Sequence, residues 1–134
     1  MNIGDTLKID YKVIGTDSAT KIAITEDDSF PNVLATARMI ALMEVTSARL
    51  MKPILATGEH SVGVGVNVTH LSATSIGAKV NIVSEFVRQE GKLYTFNVYL
   101  YDSNGLVGKG EHSRAVVNTE RLEGKASRST SQKI

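Results

Sequence analysis

Residues 32–51 read NVLATARMIALMEVTSARLM, and the fold turns on what this stretch must be. From Thr36 it runs sixteen residues without Gly or Pro, is rich in Ala, Met and Leu, and then meets Lys52-Pro53, where a helix should stop. The composition predicts one helix of about four turns, roughly 24 Å long at 1.5 Å per residue. No other stretch of the chain reads as a long helix. Asn32 or Thr36 is expected to cap it, since either side-chain oxygen can accept from an unpaired first-turn N–H.

Steps of three and four from Ala37 pick out Ala37, Ala41, Glu44, Val45 and Ala48, a small apolar stripe with one carboxylate in it. Removing a carboxylate from water costs several kcal/mol unless it is paired. Glu44 therefore needs a partner or a purpose, or else it reaches solvent at the edge of the stripe.

Outward from the helix, the chain reads as strands. Leu7, Ile9, Tyr11 and Val13 alternate with polar residues, the period of a strand with one buried face, and Thr20 to Ile24 is expected to pair with it as a hairpin. TEDDSFP, residues 25–31, carries turn chemistry into the helix. Beyond the helix, SVGVGVNVTH (residues 61–70) puts Val62, Val64, Val66, Val68 and His70 on one parity and Gly63, Gly65, Asn67 and Thr69 on the other. Two glycines in a strand usually mean that something bulky approaches that face. A lone His at the end of such a row is more often a hydrogen-bonded core residue than a catalyst. Ala78 to Arg88 and Leu93 to Tyr101 read as a hairpin pair, Ser103-Asn104-Gly105 holds the Asn-Gly pair favoured in a type I′ turn, and Leu106 to Asn118 closes a meander. Residues 1–123 are expected to form a single domain and 124–134, GKASRSTSQKI, a mobile polar tail. A single long helix and one antiparallel sheet can bury their apolar faces only on each other, which makes this an α+β protein with the sheet wrapped around the helix, the hotdog architecture.

Composition narrows the function. Fifteen basic and 14 acidic residues give a net charge of +1, a balance that indicates neither nucleic acid nor a membrane as partner. The polar, alternating start MNIGDTLKID lacks the apolar core of a signal peptide, and no segment approaches the length of a membrane span, so the expectation is a soluble, cytoplasmic protein. There is no Cys, which excludes disulfides and thiolate metal sites, and His60, His70 and His112 are scattered, so no metal is expected. Phosphate-loop, dinucleotide and nucleophile-elbow fingerprints are absent; Gly63-Val64-Gly65 lies inside a strand and lacks the right continuation. The chemistry-bearing candidates that remain are Thr36, Glu44 and His70.

At this point the residues carry a family resemblance. VLATARMIALMEVTSARL, SVGVGVNVTHLSATSIG and YDSNGLVGKGEHSRAVV look like the fluoroacetyl-CoA thioesterase family of hotdog proteins, over nearly the whole chain. The family's pattern is a Thr at the start of the central helix, a Glu eight residues later and a His closing an N-V-x-H strand, which fall on Thr36, Glu44 and His70. The resemblance extends to a Gly preceding that His, Gly63, and to an Arg in a G-x-H-x-R segment, Arg114. Two positions depart from it. Of two aromatic lid residues before the helix only Phe30 is present, with Asp27 at the other, and the position after Gly63 is Val64 rather than Thr.

The resemblance implies hydrolysis of a short-chain acyl-CoA to the free acid and CoA, without a cofactor. Glu44 would act as general base or as nucleophile, hydrogen-bonded by Thr36, while His70 orients or protonates. Phe30, Gly63, Val64 and Arg114 would contact substrate, and backbone N–H groups near Gly63 or at the helix start are candidate oxyanion donors. It also implies a homodimer joined through sheet edges, in keeping with the pairing hazard of an exposed edge strand. The alternatives are a hotdog hydratase or dehydratase, and a non-catalytic acyl-CoA-binding protein in which Glu44 and His70 are a satisfied buried pair.

Overall fold

The computed structural model describes residues 1–132. Five strands, β1 (Thr6–Lys12), β2 (Glu59–His70), β3 (Lys79–Glu90), β4 (Leu93–Asp102) and β5 (Gly105–Asn118), form one antiparallel sheet in the order β1-β3-β4-β5-β2. The long helix α1 (Thr36–Met51) packs on one face of it, and the sheet curves around the helix as the hotdog architecture requires. α1 starts and stops where the composition predicts, with Pro53 in the single 3-10 turn Lys52–Ile54 that follows.

The core lies between α1 and the concave face of the sheet. Met39, Leu42, Met43 and Met51 of α1 meet Val80, Ile82 and Phe86 of β3, Phe96, Val98 and Leu100 of β4 and Val107 of β5, all buried. Each such side chain removed from water contributes about 1.5–3 kcal/mol. The small stripe containing Glu44 is consequently the outer side of the helix: Ala37 and Val45 are exposed, and Ala41, Glu44 and Ala48 are half-buried. The Met side chains fill the core, and the stripe that periodicity alone singled out stays open.

Four local expectations are corrected. Residues 20–24 do not pair with β1; Gly15–Asp17 and Ala19–Ile22 are short 3-10 turns, and the segment is tied instead to residues 33–35. The cause is Asp17, fully buried, whose carboxylate accepts from the Tyr11 hydroxyl (2.7 Å), the Ile14 N–H (2.9 Å) and Arg38 Nε (2.9 Å). Burial pushes this carboxyl up, but those three donors together hold it below the usual value. Asp17 also accepts the Ala35 N–H on its backbone oxygen, which fixes where α1 begins. Second, neither Asn32 nor Thr36 caps that helix: Ala35 is the N-cap, and no side chain covers the end. Third, the β4–β5 turn is not type I′, because neither Ser103 nor Asn104 has positive φ; Gly105 takes φ 119° and Asp102 accepts from the Asn104 N–H. Fourth, the polar residues from Gly124 to Gln132 are helical, the second half of α2 (Thr119–Gln132), whose start is supported by Asn118 accepting from the Arg121 N–H. Lys133 and Ile134 of the expected tail lie outside the described residues. Among the described residues no helix is long and apolar enough to cross a membrane.

Candidate active site

β2 decides the geometry. It pairs with β5 on one side only, and between Gly63 and Gly65 its register slips by one residue, leaving Val64 in a β-bulge. A one-residue slip exchanges the faces of a strand. The row of four valines and His70 is therefore broken. Gly63, paired with Arg114, shares the helix-facing side with Val66, Val68 and His70, whereas Val62 faces away and Val64 stands 59% exposed at the free edge. The bulky neighbour expected at the glycines is Glu44 itself, since a Cβ on Gly63 would overlap Glu44 Oε1.

Two groups of side chains result. At the start of α1, Thr36 Oγ1 and His70 Nδ1 are hydrogen-bonded at 2.8 Å. Nε2 of His70 is buried and has no hydrogen-bond partner among the described residues. Burial pushes this imidazole below its ordinary value of 6.5, opposed only in part by a backbone interaction at Ser72.

Eight residues along the helix, about 12 Å away, Glu44 lies over Gly63 with its side chain 42% exposed, and its Oε1 is 3.5 Å from Arg114 NH1. Arg114 is 8% exposed; its Nε donates to Ser61 Oγ (3.0 Å), its NH2 to the Ser61 carbonyl (2.9 Å) and its NH1 to His112 Nε2 (3.1 Å). Desolvation lowers the affinity of this guanidinium for its proton, and Glu44 works in the opposite sense. His112, 1% exposed, bonds through Nδ1 to the Gly65 carbonyl at 2.8 Å.

Within one chain, then, Thr36 joins His70 and not Glu44, and Glu44 joins Gly63 and Arg114. Phe30 is 43% exposed on the loop before α1. His112 is the member of the cluster that sequence reasoning left unassigned. The signal was present in GEHSR, because His112 and Arg114 share strand parity and so had to share a face. A groove of about 550 Å³ runs along the exposed side of α1 from Val45, the residue after Glu44, to Ser61, the partner of Arg114, and is lined also by Ala48, Arg49, Lys52, Leu55 and His60. Among the described residues no cluster of His, Asp or Glu has the arrangement of a metal site.

The family model described as fluoroacetyl-CoA-specific thioesterase matches residues 16–120. The fluoroacetyl-CoA thioesterase of Streptantibioticus cattleyicolor is 38% identical over 101 residues, covering 75% of this chain and 73% of that protein. A solved structure of the fluoroacetyl-CoA thioesterase FlK superposes with a TM-score of 0.90 at 32% identity, covering 96% of each chain. A Thermus thermophilus hypothetical protein of the thioesterase superfamily, at 23% identity and TM-score 0.86 over 98% of this chain and 94% of its own, shares the fold. With the whole hotdog body matched, the chain belongs to the fluoroacetyl-CoA-specific thioesterase family of acyl-CoA thioester hydrolases.

Proposed function

We propose that the chain hydrolyses short-chain acyl-CoA thioesters, with Glu44 as the catalytic carboxylate. The observation that carries this reading is the setting of Glu44. It is a carboxylate on an otherwise small, apolar and open stripe, with one oxygen held over a glycine and facing a buried guanidinium. A charge merely solvated at a helix edge has no need of a buried cation behind it. With Oε1 so engaged, Oε2 is left to take a proton from water or to attack the thioester carbonyl. Two variants of FlK have been solved, one with fluoroacetate and CoA and one with acetyl-CoA, which supports assigning the same ligand class to this groove. Arg49 and Lys52 at its edge are the cations we assign to the CoA phosphates.

The second half of the site is supplied by a dimer. β2 offers its whole free edge for pairing, with Val64 and Val66 exposed on it. An antiparallel β2–β2 pair about a two-fold axis sets the His70 end of one strand beside the Gly63 end of the other. Thr36 and His70 of one protomer then work with Glu44 of its partner. In that arrangement His70, oriented through Nδ1 by Thr36, is the imidazole assigned to orient or protonate, and the uncapped N–H groups at the start of α1 supply positive potential for the oxyanion.

The test is one panel on one preparation: thiol release from acetyl-, propionyl- and butyryl-CoA, absorbance change with an enoyl-CoA, and binding without turnover. Hydrolysis is expected, abolished by about a hundredfold or more in Glu44→Gln with folding intact. Hydration of the enoyl-CoA, or binding alone, would replace the reading, and wild-type turnover in Glu44→Gln would return Glu44 to a solvated helix edge. Sedimentation of the same preparation reads the dimer.

A further inference from the structure

Arg114 and its neighbours raise a question that the catalytic role of Glu44 does not answer: what holds a nearly buried guanidinium in the one orientation that aims NH1 at that carboxylate? Ser61 takes Nε and NH2, on the side away from Glu44. The remaining donor group, NH1, lies between Glu44 Oε1 at 3.5 Å and His112 Nε2 at 3.1 Å.

The two partners of His112 fix its chemical form. The Gly65 carbonyl can only accept, so Nδ1 must carry a proton; Arg114 NH1 can only donate, so Nε2 must present its lone pair. Both requirements are met by one species, the neutral imidazole protonated on Nδ1. An imidazolium would set N–H against N–H and place a second positive charge beside Arg114 in a space that is 1% exposed at His112. The 3.9 Å separation between His112 Nε2 and Glu44 Oε1 is therefore not an ion pair, since the ring nitrogen carries no proton and no charge. The groups facing the ring are few. Arg114 comes from its own strand, Glu44 from α1 and the Gly65 carbonyl from β2, while β4 opposes it with the apolar Phe96. Burial, with Arg114 beside it, pushes the imidazole below its ordinary value despite the Gly65 hydrogen bond and Glu44, which agrees with the neutral form. The carbonyl it uses belongs to the residue just after the bulged Val64, so the bulge that opens room for Glu44 over Gly63 also turns Gly65 towards His112.

We infer that His112 is a positioning residue that acts through Arg114: as a neutral acceptor it holds the guanidinium so that NH1 engages Glu44 Oε1 and Oε2 is left to the reaction. This rests on Glu44 being the catalytic carboxylate. His112 itself touches neither the thioester nor the CoA. Its loss frees Arg114 to turn, and Glu44 loses its fixed placement over Gly63.

The test compares wild type, His112→Gln, His112→Phe and Glu44→Gln by steady-state thiol release from acetyl-CoA. His112→Phe keeps the bulk and removes the acceptor. Displacement of a catalytic group by about an ångström costs on the order of a hundredfold, so kcat should fall by about that factor while KM changes far less. His112→Gln, an uncharged side chain that can accept from Arg114 and donate to Gly65, should recover most of kcat. Wild-type kcat in His112→Phe beside an inactive Glu44→Gln overturns the inference and leaves the reading of Glu44 standing; an active Glu44→Gln overturns that reading first. Independently of any variant, nitrogen-15 histidine spectra of the wild-type protein at about pH 7 should show His112 as the Nδ1–H tautomer. An Nε2–H tautomer or an imidazolium there overturns the inference.

Discussion

Gly63→Ala separates the chemistry of this site from its stability. The added methyl would overlap Glu44 Oε1 and would contact His112 Cε1 at 3.4 Å, so the carboxylate must move. It has somewhere to go, because its side chain is 42% exposed and the stripe around it is open. Three contributions set the cost. Ala in place of Gly within a strand favours the folded chain by roughly 0.5–1 kcal/mol through lost freedom of the unfolded backbone. Glu44 gives up a 3.5 Å contact with Arg114, and for a pair with one partner this exposed, solvent screening leaves about 0–1 kcal/mol. Arg114 keeps its bonds to Ser61 and His112, so it is not stranded. The sum lies within about 1 kcal/mol of zero, which for a chain of this size moves Tm by no more than about 5 °C. Turnover should nonetheless fall by about a hundredfold, the scale of effect when a catalytic group is displaced by an ångström. Thermal melts and thiol release from acetyl-CoA on the same preparation read both quantities. Wild-type kcat/KM with unchanged Tm would refute the placement of Glu44 over Gly63, and a loss of more than about 10 °C would mean that the glycine serves the fold.

Selectivity should be modest: with Phe30 present but Asp27 in place of a second aromatic, lid packing supplies only about 1–3 kcal/mol, so kcat/KM for fluoroacetyl-CoA should exceed that for acetyl-CoA by no more than about 200-fold. A far larger preference would place the discrimination in Thr36, Glu44 and His70. Removing the residues after Glu123 takes away the polar second half of α2 and should leave Tm and turnover almost unchanged, whereas a large loss on truncation would show that this half packs or pairs. Stability should decline on acidification. His70 and His112 both bind protons less readily folded than unfolded, so between their ordinary value of 6.5 and their lower folded values the unfolded chain takes up protons first, and stability present above pH 6.5 is lost as pH falls. Asp17, also lowered but from 3.8, acts only in more acid solution. Melts from pH 7.5 to 5.5 should show Tm falling, and less steeply in His112→Gln; an equal slope in that variant would remove His112 from the account.

Much of the fold was legible because its signals are local. The sixteen Gly- and Pro-free residues of α1, the alternation of β1 and the aromatic, β-branched run of β4 each specify their own backbone, and one helix with one sheet leaves a single way to bury both apolar faces. Thr36, Glu44, His70, Gly63 and Arg114 were visible as a spaced pattern, although the pattern could not say which of them meet. Periodicity describes a helix face without naming the neighbour that covers it. The Ala stripe thus read as the buried side, and only the sheet decided that Met39, Leu42 and Met43 fill the core while Glu44 stays at the opening. Residues 20–24 looked like a strand until the buried Asp17 tied that segment to the start of α1. The bulge at Val64 lay furthest from local reading. It is a mismatch between β2 and β5, set by how two strands distant in the sequence pair, and one residue of slip exchanges the faces of everything before it. That slip puts Gly63 under Glu44 and Gly65 against His112, so the candidate residues Thr36, Glu44, His70 and Arg114 were legible in the sequence, while their division into a Thr36–His70 pair and a Glu44–Arg114–His112 cluster was decided only by tertiary pairing.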